Sequence, residues 1–304
     1  MTIKDTLYLH VGWSKTGTSA VQKQIQHQYE DFLSRGILYP QTLQWADHSH
    51  HPFALSFQSS GAYKSDMNPP QALEKLKLEM VSSQAKDVLL SSELSPFYFN
   101  NPAFKNFVKE YFSEVKVVFT VRRQSELLLS LFNQLVKDPN VRYRASLFNL
   151  AMRNISWLNY FENIKRWSSV VGKENIIVIP YSTNITEDFL HIFNIEKKSS
   201  DENTSDIVNP SLPTRCLSLV QEKTKIAKDN AEFLEIRNNI INKSKDIPLV
   251  EDTYILFSVP EQQSFDHYFS RSNQALSTIT DIDLTGLTNQ EYKEIKVIHP
   301  DFDI

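Results

Sequence analysis

Short apolar runs alternate with helical patterns through the first two thirds of the chain. The clearest run, VKVVFTV at 115–121, is β-branched and apolar almost throughout, which is typical of a parallel strand buried on both faces. Similar runs occupy 7–11, 87–92 and 175–180, with segments of helical apolar spacing between them. Because strands that alternate with helices form parallel sheets, the sequence predicts an α/β fold with a central parallel β-sheet flanked by helices.

Helical spacing of apolar residues defines the segments around these strands. The predicted helices cover 18–35, 70–84, 101–111, 125–136 and 157–170. Residues 196–210 are polar and rich in turn-forming residues, and they predict a loop. The remaining 211–304 predicts a mainly helical C-terminal portion. We therefore expect a single domain over 1–304, in which 1–195 form the α/β core.

Composition and charge exclude several classes of protein. The 304 residues carry a net charge of −4, which argues against coating nucleic acid or an anionic membrane through bulk charge. Cys216 is the one cysteine, so an internal disulfide framework and a cysteine-built zinc site are excluded. No apolar run approaches the roughly 20 residues of a membrane span, and a strand is expected too early for a signal peptide. We expect a cytosolic protein with no nucleic-acid partner and no integral membrane segment; its oligomeric state stays open.

A loop between the first predicted strand and helix has the composition of an anion site. Of only six glycines, Gly12 and Gly17 both fall in this segment, HVGWSKTGTS. A loop that opens a helix at the carboxyl end of a parallel strand offers unpaired N–H groups and the positive end of the helix dipole. Lys15 adds a positive charge, and Thr18 and Ser19 add hydroxyl donors. The lysine precedes the second glycine, unlike in the NTPase motif. A plain turn with Thr18 or Ser19 as helix N-cap is the alternative.

The order Lys-Thr-Gly-Thr-Ser after a first strand resembles a known nucleotide loop. It is similar to the 5′-phosphosulfate loop of sulfotransferases that use 3′-phosphoadenylyl sulfate (PAPS), which commonly reads P-K-T-G-T-T. Ser14 stands where proline is usual. The resemblance implies that the donor's phosphosulfate is bound by Ser14, Lys15, Thr16, Gly17, Thr18 and Ser19.

A second segment, VVFTVRRQSELLLS, resembles the 3′-phosphate motif of the same family. That motif has an arginine at the end of a strand and a serine eight residues later, which Arg122 and Ser130 match. Ser130 would lie about two turns into the next helix. Gln124 replaces the family's proline, and Arg123 is the competing arginine. The resemblance implies that Arg122 and Ser130 bind the 3′-phosphate.

A third segment, SSELSPFYF, resembles E-K-x-x-x-Y-F of glycan sulfotransferases. Glu93, Tyr98 and Phe99 match the motif, whereas Leu94 replaces its lysine. The resemblance implies that Glu93 is the general base, with Lys15 as the second catalytic residue, and that Tyr98 and Phe99 lie near a carbohydrate acceptor. The stretch 160–181 resembles the helix and strand that follow the 3′-phosphate motif in this family.

Three histidines lie close together in ADHSHHPF. His48, His50 and His51 are predicted at the mouth of the acceptor site, and His50 or His51 is the rival base. No acidic cluster or cysteine pair completes a defined ligand set, so a metal is not expected.

The resemblance as a whole implies a PAPS-dependent sulfotransferase. Such an enzyme has the fold of P-loop nucleotide kinases and transfers a sulfuryl group from PAPS to an acceptor hydroxyl, leaving 3′-phosphoadenosine 5′-phosphate (PAP). Two other readings stay open: a P-loop kinase or NTPase, and a non-catalytic nucleotide-binding protein, which the loss of lysine at Leu94 allows.

Overall fold

The computed structural model describes residues 4–58, 65–198, 212–249, 253–280 and 291–303, together with 282, 284 and 287. Its strands are β1 Lys4–His10, β2 Ile37–Leu38, β3 Asp87–Ser91, β4 Phe112–Val121, β5 Ile176–Pro180, β6 Tyr254–Phe257 and β7 Ile295–Val297. Its α-helices are α1 Thr18–His27, α2 Tyr29–Ser34, α3 His51–Ser56, α4 Pro69–Ser82, α5 Pro102–Tyr111, α6 Gln124–Lys137, α7 Leu147–Asn154, α8 Tyr160–Val171, α9 Ile185–His191, α10 Leu217–Lys223, α11 Asn230–Lys243 and α12 Val259–Leu276. Short 3₁₀ turns cover Tyr98–Asn100, Lys173–Asn175, Thr214–Cys216, Thr224–Ile226 and Ser244–Asp246.

The first of two compact units contains a five-stranded sheet. This unit comprises Met1–Arg122, Tyr160–Val208 and Ala275–Asp283. The strand order is β2-β3-β1-β4-β5, and every pairing is parallel. The predicted α/β class with a central parallel sheet flanked by helices is confirmed. Because β1 lies between β3 and β4, the segments that follow these three strands meet at one edge of the sheet, where α/β proteins bind their ligands.

Burial explains why the apolar runs became strands. The last five residues of β4, 117–121, are each at most 2% exposed, as expected for a strand covered on both faces. One side packs against apolar residues of α1, α2 and α9, including Val21, Phe32 and Phe189. The core thus holds the ends of β1, β3 and β4 in fixed register.

The predicted helix over 18–35 is interrupted. Gln28, with φ −106° and ψ 28°, separates α1 from α2. Its side chain is only 2% exposed, and its amide nitrogen donates hydrogen bonds to Glu196 O at 2.9 Å and to Asp31 Oδ2 at 3.0 Å. A distant part of the chain therefore fixes the break, which helical periodicity cannot reveal.

The second unit comprises Arg123–Asn159, Asn209–Gln274 and Leu284–Ile304. It contains α10, α11 and most of α12, which agree with the predicted helical C-terminal portion, and also α6 and α7, which fall within the predicted core over 1–195. It adds an antiparallel pair, β6–β7, that the sequence did not predict. Residues 199–211, which include most of the predicted polar loop, lie outside the described residues. The expectation of one functional domain stays a prediction. No helix within the described ranges has the length and apolar character needed to cross a membrane.

Candidate active site at the carboxyl edge of the sheet

The loop after β1 is held against β4. The Trp13 N–H donates to Thr120 O at 3.4 Å, and the hydroxyls of Thr16 and Thr120 lie 2.6 Å apart. A Cβ on Gly12 would lie 2.1 Å from Thr120 Oγ1, so a side chain there would displace the loop. The Thr16 hydroxyl also donates to Trp13 O. The side chain of Thr16 is therefore committed to the loop itself, and only its main chain can contact a ligand.

The amino end of α1 has no side-chain cap. Gly17 is the N-cap residue, with φ 86°, and Thr18 and Ser19 already belong to the first turn, so the alternative of an N-cap at either residue is wrong. Within the described ranges, the main-chain N–H groups of 17–19, at the start of α1, donate to no acceptor. Unpaired N–H groups and the helix dipole together favour an anion at this position.

Three charged residues from three strand ends converge on this loop. Arg122, directly after β4, donates from Nη1 to Lys15 O at 3.3 Å and lies over the Tyr181 ring, with Cζ 4.5 Å from its centroid. Partial burial lowers the pKa of Lys15, the charge of Arg122 lowers it further, and the charge of Glu93 opposes both effects. The structure thus brings Lys15, Arg122 and Glu93 into one electrostatic cluster.

Arg123, the competing arginine, is engaged elsewhere. It belongs to the second unit, is 6% exposed, and its Nη2 lies 2.7 Å from Glu126 Oε1. Its guanidinium also packs over the ring of Tyr292. Ser130 is a half-buried residue of α6 in that same unit, so its pairing with Arg122 stays a prediction.

Glu93 lies two residues beyond β3 and is held through one carboxylate oxygen. Gln22 Nε2 donates to Glu93 Oε2 at 3.2 Å, and His51 Nε2 lies 3.7 Å from the same oxygen. The other ring nitrogen of His51 is 2.8 Å from Ser92 Oγ. Burial lowers the pKa of His51, against the opposing charges of Glu93 and Asp47. A ring protonated only at Nε2 fits this setting, because Nε2–H then faces the carboxylate.

His50, unlike His51, has both ring nitrogens bound to main-chain groups. His50 is fully buried: its Nδ1 accepts from the Ser91 N–H at 3.1 Å, its Nε2 lies 2.8 Å from Pro40 O, and burial lowers its pKa to about 4. No ring nitrogen of His50 is left for an acceptor.

Tyr98 and Phe99 are 2% and 8% exposed and pack in an aromatic cluster with Phe104 and Trp167. Both rings are therefore part of the core, and the structure does not support the predicted contact with an acceptor.

A cavity of about 510 Å³ opens beside the loop. Gly17 and Ala20 line it from the start of α1, together with His48 and with Tyr181, which follows β5. Sequence reasoning missed Tyr181, although its position at the end of a strand could have indicated it, and Gln22, which carried no signal. Within the described ranges, no group of three or more His, Cys, Asp or Glu side chains could hold a metal ion.

Comparison with known proteins was made by sequence and by structure. No protein-family model and no curated protein matches the chain. Solved structures do. A sulfotransferase from Alicyclobacillus acidocaldarius is 16% identical, covers 77% of this chain and 95% of its own, and has a TM-score of 0.41. A mouse sulfotransferase complexed with PAP is 15% identical over 90% of this chain and 86% of its own, with a TM-score of 0.40. The sulfotransferase domain of the curacin biosynthetic pathway is 12% identical, covers 89% of this chain and 99% of its own, and has a TM-score of 0.34.

These structural relatives are sulfotransferases. Because each of the three TM-scores is below 0.5, we base the functional proposal on the geometry of the site itself.

Proposed function

We propose that the protein is a sulfotransferase that moves a sulfuryl group from PAPS to an acceptor hydroxyl, with PAP as the second product. One observation carries the proposal: Lys15, Arg122 and Glu93 form one cluster beside N–H groups at the start of α1 that donate to no acceptor among the described residues. Two cations and a row of amides suit a polyanionic donor. A carboxylate in the same cluster suits an acceptor that must lose a proton.

Each part of the donor is matched in this proposal with one part of the site. We infer that the amides of 14–19 and the Lys15 ammonium bind the 5′-phosphosulfate, and that Arg122 binds the 3′-phosphate. Ser130 remains the sequence-based candidate for a second 3′-phosphate contact. The 510 Å³ cavity at Ala20 and Tyr181 falls within the size range of small-molecule sites and offers an aromatic face to the adenine.

The reaction needs alignment and charge stabilisation more than covalent help from the protein. The acceptor oxygen forms a bond to sulfur, and the bond between sulfur and the bridging oxygen of the 5′-phosphate breaks. Lys15 stabilises the negative charge that grows on that oxygen. Glu93 takes the acceptor proton, and since Gln22 and His51 both contact Oε2, we assign the proton to Oε1.

The acceptor is proposed to be a carbohydrate hydroxyl. Support comes from the resemblance of SSELSPFYF to glycan sulfotransferases, in which Leu94 is a departure. We propose that His51, beside Glu93, contacts it, whereas His48 lines the cavity assigned to the adenine. A cytosolic location, expected from the sequence, stays a prediction that microscopy of the tagged chain tests.

A nucleotide-binding screen tests the proposal. We expect PAP to raise the melting temperature and radiolabelled PAPS to support transfer to a panel of glycans and small alcohols. Lys15→Ala should weaken PAP binding tenfold or more, because charge-assisted contacts contribute about 1.5–3 kcal/mol each, and it should abolish transfer. Lys75→Ala, at an exposed lysine of α4, is the matched control and should change neither.

Other outcomes identify the alternatives. Stabilisation by ATP with Mg²⁺ and not by PAP would indicate a kinase or NTPase. PAP binding without turnover on any acceptor would indicate a non-catalytic nucleotide-binding protein.

A further inference from the structure

A second, larger cavity lies entirely within the second unit. Its volume is about 880 Å³, and it is bounded by residues of α6, α7, α10, β6 and α12. None of the residues in the candidate active site lines it. Cavities of 300 to about 1,000 Å³ with mainly apolar walls are the usual form of small-molecule sites.

The walls of this cavity run from solvent down to the core. Leu128, Phe132 and Phe257, which are 1%, 0% and 7% exposed, line it and belong to the apolar core of the unit. Phe148 and Tyr268, which are 71% and 63% exposed, line its outer part. Large apolar side chains at such exposure cost free energy unless a ligand covers them. A cavity that continues from exposed side chains to residues of the core suits a small molecule better than the flat surface of a protein partner.

The charged residues of the lining already have partners. Lys225 Nζ lies 2.5 Å from Glu222 Oε2, and Glu261 accepts from the Ser258 N–H at 2.8 Å. Arg144 donates to two main-chain oxygens, Gln221 O at 2.7 Å and Thr224 O at 2.8 Å. The four charges sum to zero, two basic and two acidic. An ionised ligand would therefore have to displace existing contacts, whereas an uncharged one would not.

We propose that this cavity binds an uncharged, elongated apolar molecule of the class of long-chain alcohols. Its hydrocarbon chain would cover Phe148, Met152 and Tyr268, and its hydroxyl would meet the lining serines Ser218 and Ser264. The proposal does not depend on the sulfotransferase assignment, because it uses none of the same residues.

Fluorescence of N-phenyl-1-naphthylamine, an uncharged apolar dye, tests this site in the full chain. We expect saturable binding, with displacement by 1-dodecanol. Dodecanoate has the same chain length but an ionised head group, and it should displace the dye at least about tenfold less well, because its carboxylate would have to compete for Arg144 and Lys225 with the oxygens that they already contact.

Two variants and one control locate the binding. Phe148→Ser combined with Met152→Ser removes exposed apolar surface, and Ala151→Trp fills the cavity; each should weaken dye binding about tenfold. Ile226→Ser, at a residue that is 76% exposed and outside the lining, should leave binding unchanged. Circular dichroism checks folding, and the exposed double variant keeps the test valid if Ala151→Trp unfolds.

Three results would overturn the proposal. These are no saturable dye binding, equal displacement by dodecanoate, and equal binding by the double variant and the Ile226→Ser control. Concentration-dependent self-association that the double variant abolishes, without dye binding, would instead assign the cavity to a second copy of the chain.

Discussion

The amino ends of α6 and α1 both lie beside basic side chains. Among the described residues, a carboxylate of the chain itself accepts from the N–H groups at the start of α6, and none does so at the start of α1. At α6, in the second unit, the buried carboxylate of Asp266 accepts from the Ser125 N–H at 2.8 Å and from its hydroxyl at 2.7 Å. Tyr292 donates to the same carboxylate at 3.0 Å, and Arg123 pairs with Glu126. At α1, in the first unit, no side chain caps the helix, although Lys15 and Arg122 lie beside it.

The difference shows how a structural network is distinguished from a binding site. In the second unit the chain supplies its own anion: Asp266 accepts from Ser125 and Tyr292 and lies 3.8 Å from Arg123 Nε. In the first unit no side chain among the described residues caps α1, and the pKa of Lys15 is lowered by burial and by the charge of Arg122, against the opposing charge of Glu93. A bound anion would accept from the N–H groups at the start of α1. This contrast supports the proposal that the end of α1 is the functional site and the end of α6 a scaffold.

The largest effect expected in the first unit comes from the carboxylate. Glu93→Gln keeps the side-chain shape and removes the proposed base, and positioned bases contribute about 10²–10⁴-fold. We predict that kcat falls at least a hundredfold while PAP affinity stays within about threefold, as measured by radiolabelled transfer and by calorimetry. Normal turnover in Glu93→Gln, with loss in His51→Ala, would move the base to the histidine and weaken the carbohydrate assignment.

Substitution of the adjacent residues Arg122 and Arg123 tests the contrast between the amino ends of α1 and α6 most directly. Arg122→Ala should reduce the preference for PAPS over adenosine 5′-phosphosulfate by about ten- to a hundredfold, given the strength of charged contacts, with little change in stability. Arg123→Ala should leave that preference intact and destabilise the fold by about 3 kcal/mol, because it leaves buried Asp266 without its cation. Donor competition and urea unfolding separate the two. If Arg123→Ala alters donor preference and Arg122→Ala does not, the end of α6 is the functional one.

The last effect concerns pH and acts on stability alone. Burial lowers the pKa of His10 to about 3 and that of His50 to about 4, from an ordinary 6.5, and both residues belong to the first unit. Below pH 6.5 the unfolded chain takes up protons that these buried rings do not. Stability is therefore complete above about pH 6.5 and falls toward pH 4, by up to about 1.4 kcal/mol per pH unit for each histidine.

Urea unfolding at pH 7 and pH 5 measures this loss, and hydrogen exchange locates it. We expect amides of the first unit to lose protection first. His267→Gln, at an exposed histidine of the second unit, should leave the slope unchanged. Equal loss of protection in both units would show that these histidines do not set the acid sensitivity.

The sequence by itself determined the sheet and the position of the loop. β-branched runs such as 115–121 can hardly form anything but buried strands, and their alternation with helices makes those strands parallel. Gly17 marks the loop because its φ of 86° is a left-handed conformation that favours glycine. These properties depend on neighbours along the chain, which a sequence displays directly.

Only the tertiary structure decided what each side chain of the site contacts. It assigned Arg122 to the loop and Arg123 to a buried network, brought Gln22 and His51 to Glu93, and placed Tyr98 in the core. The break at Gln28 and the pair β6–β7 likewise depend on residues far away in sequence. Burial, pairing and pKa are set by atoms within a few ångströms in space, and for these residues most of those atoms come from segments tens of positions away in the chain.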